Sequence, residues 1–359
     1  MDSTLTQLYS RYGGYWRFPD MLDFCYLVNP YFAGSGIIEE MQASFRTLVT
    51  QYPSGMAVNS LLSSECWGIK PEYIVPGNGA AELIKALMEN TDGKVGIVRP
   101  TFEEYPNRLS DDQTVVFIPE DSEFRYTEGD LIHFFDSNRA DTLLLINPDN
   151  PSGNFISVDG IYRLAKWTRE KGMSFILDES FVDFSAGYEK NTCLDNVFLE
   201  ANPHMAVVKS ISKSYGVPGL RLGILCSSDM QMVSILKKQV SIWNINSFAE
   251  YFMQIFPKYR NEYKNACDRF IQTRLEFEQE LKSIPYLRVM PSQANFFFVE
   301  VLPPYNPTQL CTLLLEKYNI LCSACLAKRG IEKNRYMRIA IRNNEDNRRL
   351  VQALKELII

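Results

Sequence analysis

The middle of the chain alternates short apolar runs with amphipathic helical patterns, and this alternation limits the possible folds more than any other feature. Runs at 95–98, 114–118, 142–146, 174–177, 205–208 and 222–226 are rich in Val, Ile, Leu and Phe and mostly lack in-out alternation. Strands buried on both faces read this way, so the pattern predicts a mainly parallel sheet covered by helices. Helical patterns such as 80–89 and 160–171 fall between the runs, as an α/β fold requires. After about residue 245 the pattern changes. A long amphipathic stretch, 248–284, breaks at Pro257, and short strands at 287–290, 295–301 and 336–341 follow, with helices at 308–318 and 345–357. The expectation is an N-terminal arm (1–34), a large domain (35–245) and a small α+β domain (246–359); 359 residues suffice for about two domains.

Charge and cysteine usage narrow the function. Thirty-seven basic against 43 acidic residues leave a net charge of −6, which disfavours a nucleic-acid partner because no basic surface displaces counterions. No apolar run approaches the ~18 residues of a membrane span. The first residues carry no basic stretch followed by an apolar one, so no signal peptide is expected. Most of the eight cysteines fall in apolar stretches, which suits reduced thiols in the cytoplasm. Cys322 and Cys325 form one C-x-x-C, but the two histidines, His133 and His204, are remote. No metal site is expected, and a Ser-His-Asp triad is disfavoured.

Ligand groups in open α/β sheets collect where strands end, and four such places share one chemistry. Pro76-Gly77-Asn78-Gly79-Ala80-Ala81 opens a helix with small residues, where first-turn N–H groups suit a phosphate; no strong strand precedes it, and a plain helix start is the alternative. Asn147-Pro148-Asp149-Asn150-Pro151 follows the run 142–146 and holds Asn150 rigidly, as a donor to an anionic oxygen or as a simple turn. Asp178 ends the run 174–177; a buried carboxylate there needs a cation or donor, unless it caps a helix. Finally, Ser210, Ser212, Lys213 and Arg221 sit together in Lys209–Gly223. The serines and Arg221 suit phosphate oxygens. Lys213, beside positive charge, is disposed to be neutral and to form a Schiff base; a surface lysine is the alternative. Phosphate cradle, rigid Asn, strand-end Asp and Ser-x-Ser-Lys, in this order, describe a pocket for an aromatic aldehyde phosphate bonded to lysine.

With these motifs the chain resembles the pyridoxal-phosphate enzymes of fold type I, the aspartate aminotransferase superfamily. It is most similar in pattern to histidinol-phosphate aminotransferase and threonine-phosphate decarboxylase. The resemblance implies a large domain with a mostly parallel seven-stranded sheet, a small α+β domain, and pyridoxal 5′-phosphate as cofactor. It implies that Lys213 holds the cofactor, Asp178 bonds its ring nitrogen and Asn150 bonds its O3′. Ser210, Ser212, Arg221 and the Ala80–Ala81 backbone correspond to the phosphate cup, and Phe102 to the ring stacked on the cofactor. Tyr52 corresponds to a tyrosine reaching the neighbouring subunit's cofactor, which implies a homodimer with shared sites. Arg338 corresponds to the clamp on the substrate carboxylate, and Asn29 to a residue near it.

Departures accompany the likeness. Phe181 stands where many aminotransferases have a tyrosine. Ser323 stands where relatives carry an arginine for the substrate's distal phosphate, with Lys328 or Arg329 as replacements. Tyr12 and Tyr15 flank Gly13-Gly14 where a histidine and an asparagine are usual. The expected activity is transamination of an amino acid or amino phosphate. The alternative is a decarboxylase like threonine-phosphate decarboxylase, to which the Gly13-Gly14 arm, Asp23-Phe24 … Asn29-Pro30, Gly77–Ile84 and Asp178–Phe184 lean. A non-catalytic regulator on the same fold is a remote third reading: it expects a fused DNA-binding domain, which is not visible here, and Lys213, Asp178 and Asn150 are intact.

Overall fold

The computed structural model describes residues 4–26, 28–326 and 328–358. In chain order its strands are β1 (Leu22–Asp23), β2 (Ile74–Asn78), β3 (Val95–Val98), β4 (Thr114–Phe117), β5 (Thr142–Ile146), β6 (Ser174–Asp178), β7 (Met205–Ser210), β8 (Leu222–Cys226), β9 (Leu287–Val289), β10 (Phe296–Val301), β11 (Ile320–Leu321) and β12 (Tyr336–Ala340). Seven strands form one sheet in the order β2-β8-β7-β6-β5-β3-β4. Neighbours from β4 through β7 pair in parallel, and β8 runs antiparallel to both β7 and β2. Every residue of β3, β5, β7 and β8 is buried. The absence of in-out alternation is thus explained by helices covering both faces.

Strand β2 corrects the sequence reading, which places no strong strand before Ala80. Pro76 and Gly77 break the β pattern, yet Pro76 pairs opposite Ile224 and Gly77 opposite Gly223. An edge strand with one neighbour tolerates a missing N–H. The ends of β6 and β7 also reach further than the apolar runs. Asp178 and Ser210, both polar, are the last residues of their strands.

The C-terminal segment forms a second core. The strands β12-β10-β9 make an antiparallel sheet, packed beneath the helices Arg260–Lys282 and Asn344–Glu356. Pro257 does not simply kink one helix there. It sits in a 3-10 turn, Phe256–Tyr259, that joins Ser247–Ile255 to Arg260–Lys282. The arm is tied to this part: β1 pairs in parallel with β11, and Ala340 donates its N–H to the carbonyl of Phe24.

Candidate active site

A cavity of about 670 Å³ opens where three parallel strands end, lined by Ile146, Asp178 and Ser210, the last residues of β5, β6 and β7. Parallel strands aim their exposed N–H and C=O groups the same way, so loops from separate strands converge there. Nine of the singled-out residues share this wall. Ala80, Ala81, Ser210, Ser212 and Arg221 stand in it, and so do Phe102, Asn150, Asp178 and Lys213.

Asp178 is buried on the cavity floor. Its Oδ2 accepts from the Tyr105 hydroxyl at 2.8 Å and its Oδ1 from the Ser180 N–H at 2.8 Å. Burial raises its pKa, while Ser180, Tyr105 and the charge of Lys213 oppose the rise. Lys213 lies in the one-turn helix Ile211–Ser214 directly after β7. Burial, then the charge of Arg338, pushes its pKa down to about 8; Arg221 adds to this and Asp178 opposes it. Its Nζ stands 5.7 Å from the centre of the Phe181 ring. At pH 7 roughly a tenth of such an amine is neutral, far more than of an ordinary lysine, and that fraction is the nucleophile.

The helix Ala80–Met88 begins at the cavity edge. Gly79 precedes it at φ +74°, and a Cβ there would come within 2.4 Å of Arg221 Nη2. Glycine therefore lets the guanidinium lie against the start of this helix. Ser212 Oγ is buried without a partner. An orphaned hydroxyl, a guanidinium and a helix start make a phosphate site. With the floor carboxylate and the desolvated lysine, this donor set fits pyridoxal phosphate.

Three expected residues lie differently. Arg338, on β12, is outside the lining but joins it: Nη1 donates to Asn150 Oδ1 at 2.9 Å and Nη2 to the carbonyl of Cys25 at 3.1 Å. Its Nε is buried without a partner. Asn29 is buried below the lysine, where its N–H donates to the carbonyl of Lys213 at 2.9 Å. Tyr52 is remote from this cavity, 81% exposed, with its ring centre 4.7 Å from that of Trp243.

The distal end differs from the expected cation site. Arg329 turns outward and pairs with Asp111 at 2.7 Å, while Lys328 donates to the carbonyl of Thr101. Neither lines the cavity; Asp23 and the rings of Tyr12, Tyr15, Trp16 and Tyr26 do. Tyr105 escapes sequence reasoning, and Ser180 enters it only as a possible helix cap. One is an aromatic in an irregular loop and the other a serine behind a strand, and only the fold brings them to Asp178. Cys322 and Cys325 are unpaired, Cys322 deep in the small-sheet core.

Residues 41–354 match the family model for aminotransferase class I and II. The L-serine phosphate decarboxylase of Sulfurospirillum multivorans is 31% identical over 353 residues, covering 94% of this chain and 88% of that protein. The CMP-5′-(3-aminopropyl)phosphonate synthase of Streptomyces rubellomurinus is 30% identical over 351 residues, 98% of this chain; the chain spans 55% of that protein's length. A solved structure of a decarboxylase from Sulfurospirillum multivorans superposes with a TM-score of 0.85 at 30% identity, covering 95% of this chain and 90% of that one.

Proposed function

The chain belongs to the aminotransferase class I and II family and uses pyridoxal 5′-phosphate, and from that premise we propose that it decarboxylates an amino acid carrying a distal phospho group. The observation that carries this reading is the likeness to a serine phosphate decarboxylase over nearly the full length of both chains. The likeness of the phosphonate synthase points the same way, since its name too joins an amine to phosphorus. The transaminase reading uses the same contacts and rests on the family description and on a shorter likeness to a histidinol-phosphate aminotransferase of Archaeoglobus fulgidus, 29% identical over 299 residues.

When bound, pyridoxal phosphate supplies an electron sink conjugated to the substrate's Cα. The chain supplies the rest. Asp178, fixed by Tyr105 and Ser180, would hold the ring nitrogen, and Asn150, whose Oδ1 accepts from Arg338, would offer its amide N–H to O3′. The orphaned Nε–H of Arg338 offers the substrate carboxylate a charge-assisted partner. Held by Arg338, the carboxylate would be placed to leave as CO₂, its bonding pair taken up by the sink that the cofactor would supply. Lys213, with a pKa near 8, returns a proton to Cα. All eight cysteines are unpaired, which supports a cytoplasmic enzyme. The position of Tyr52 supports a homodimer.

Holoenzyme incubated with a high concentration of O-phospho-L-serine, so that turnover is read even if this substrate binds weakly, and with no 2-oxo acid tests the reading. CO₂ and the corresponding amine phosphate are expected over many turnovers. Stoichiometric conversion of the cofactor to its amine form, with turnover only after a 2-oxo acid is added, would establish transamination instead.

A further inference from the structure

The substrate end of the cavity is built for a ring and carries no charge set for a phosphate dianion. Among the described lining residues the cations are Lys213 and Arg221, and both belong to the cofactor in the function proposed above. Arg338 is engaged by Asn150 and Cys25, and Lys328 by Thr101. The remaining charges in the lining are two carboxylates: Asp178, which belongs to the cofactor, and Asp23, held by the N–H groups of Cys25 and Tyr26 at 2.7 and 3.3 Å. A dianion entering here would meet a like charge with no compensating cation in the wall.

The same end is lined by four aromatic side chains of the arm. Tyr15 is buried and sets the base, its ring centre 5.3 Å from that of Tyr26. Trp16 and Tyr12 expose 78% and 87% of their surface beside the opening. Their placement follows from Gly13 and Gly14, at φ +138° and +71°, which turn the arm between the two rings. Two arginines of the arm flank these rings in the chain: the Arg17 guanidinium lies 5.0 Å from the centre of the Trp16 ring, and Arg11, next to Tyr12, lies 5.2 Å from that of Phe18. Exposed aromatic faces, one of them carrying the Arg17 guanidinium, suit a planar aromatic group linked to a negative charge.

We propose that the substrate's phospho group is an ester, monoanionic and capped by a planar aromatic ring that stacks on the arm residues Tyr12 and Trp16. The inference rests on the decarboxylase reading for the chemistry at Cα and adds the identity of the distal group.

Three esters of O-phospho-L-serine test it on the holoenzyme: methyl, phenyl and uridine 5′-ester, all monoanions, alongside the uncapped dianion. Binding is measured by calorimetric titration and turnover by CO₂ release. The phenyl and uridine esters are expected to bind at least about tenfold more tightly than the methyl ester, the scale of one aromatic stack. Whichever of the two binds more tightly identifies an aryl or a nucleoside cap. Trp16→Ala should collapse the phenyl-to-methyl ratio towards one, and Trp16→Phe should keep most of it. Equal binding of phenyl and methyl esters, tightest binding of the dianion, or an unchanged ratio in Trp16→Ala would overturn the proposal. Preferential binding of the capped esters without CO₂ would support the cap while overturning the decarboxylase reading.

Discussion

Lys213 is held between two guanidinium charges and one carboxylate, and its chemistry follows from that balance. Unfolded, its amine takes up a proton near the ordinary 10.5; folded, near 8. Between these values the unfolded chain binds more protons, so the lysine's contribution to stability rises with pH across this window and is most unfavourable below it. In cofactor-free protein, Lys213→Met should therefore be more thermostable than wild type at pH 7, with the advantage vanishing above about pH 10.5. The same variant should retain no covalently bound cofactor after borohydride reduction; retention would move the anchor elsewhere. Cofactor uptake by wild type should quicken as pH rises through about 8. Arg338→Gln, which removes the largest charge effect on the amine, should shift that midpoint upward in stopped-flow absorbance. Tyr105 acts one residue further out. Tyr105→Phe removes one of the two donors on Asp178, a charge-assisted bond of about 1.5–3 kcal/mol. A fall in kcat of roughly 10- to 100-fold is expected, with the substrate's binding constant little changed. Lys213 and Asp178 were legible because special residue types stood at the ends of apolar runs. Tyr105 was not, because its role depends on a contact across 73 positions.

At the scale of elements, the one-turn helix Ile211–Ser214 is too short to hold Lys213 by its own hydrogen bonds. A buried network holds it. Lys209, near the end of β7, donates to Asp183 Oδ1 at 2.7 Å, and Ser214 donates to Oδ2 at 2.6 Å. Tyr263, from the helix Arg260–Lys282, donates to Ser214 at 2.9 Å and stacks on Tyr215 with ring centres 4.2 Å apart. The helix whose C-terminal half packs in the second core thereby fixes, through its N-terminal half, the lysine-bearing turn of the first. Asp183→Ala leaves the Lys209 ammonium buried and unpaired, a change that costs about 3–5 kcal/mol. Chemical denaturation should show this loss, and Asp183→Asn should recover part of it by keeping the Ser214 contact. Element order was readable because buried strands are apolar throughout. β2 was not, because Pro76 and Gly77 contradict the β pattern locally and only pairing with β8 makes a strand of them. The arm likewise has no local signal; β1 is two residues long and exists through its partner β11.

At the scale of the whole molecule, one described side of the chain is unusually apolar for a free surface. Phe45 and Val49, on the helix Ser35–Thr50, expose more than half their area, as do Tyr52 and Ile242, with Trp243 close behind. Contiguous exposed patches of this kind mark association sites. Tyr52 lies in this patch and not at its own chain's cavity, so a role at a cofactor requires a second chain. Complementation makes that requirement measurable. Lys213→Ala and Tyr52→Ala should each be inactive or strongly impaired as homodimers. After unfolding and refolding together in equal amounts, half of the dimers are mixed, and each has one site combining an intact Lys213 with the other chain's intact Tyr52. Activity should return to about one quarter of wild type under that statistical pairing. If Tyr52 served its own chain's lysine, every Lys213-bearing site in the mixture would lack it, and refolding together would restore nothing beyond the Tyr52→Ala level.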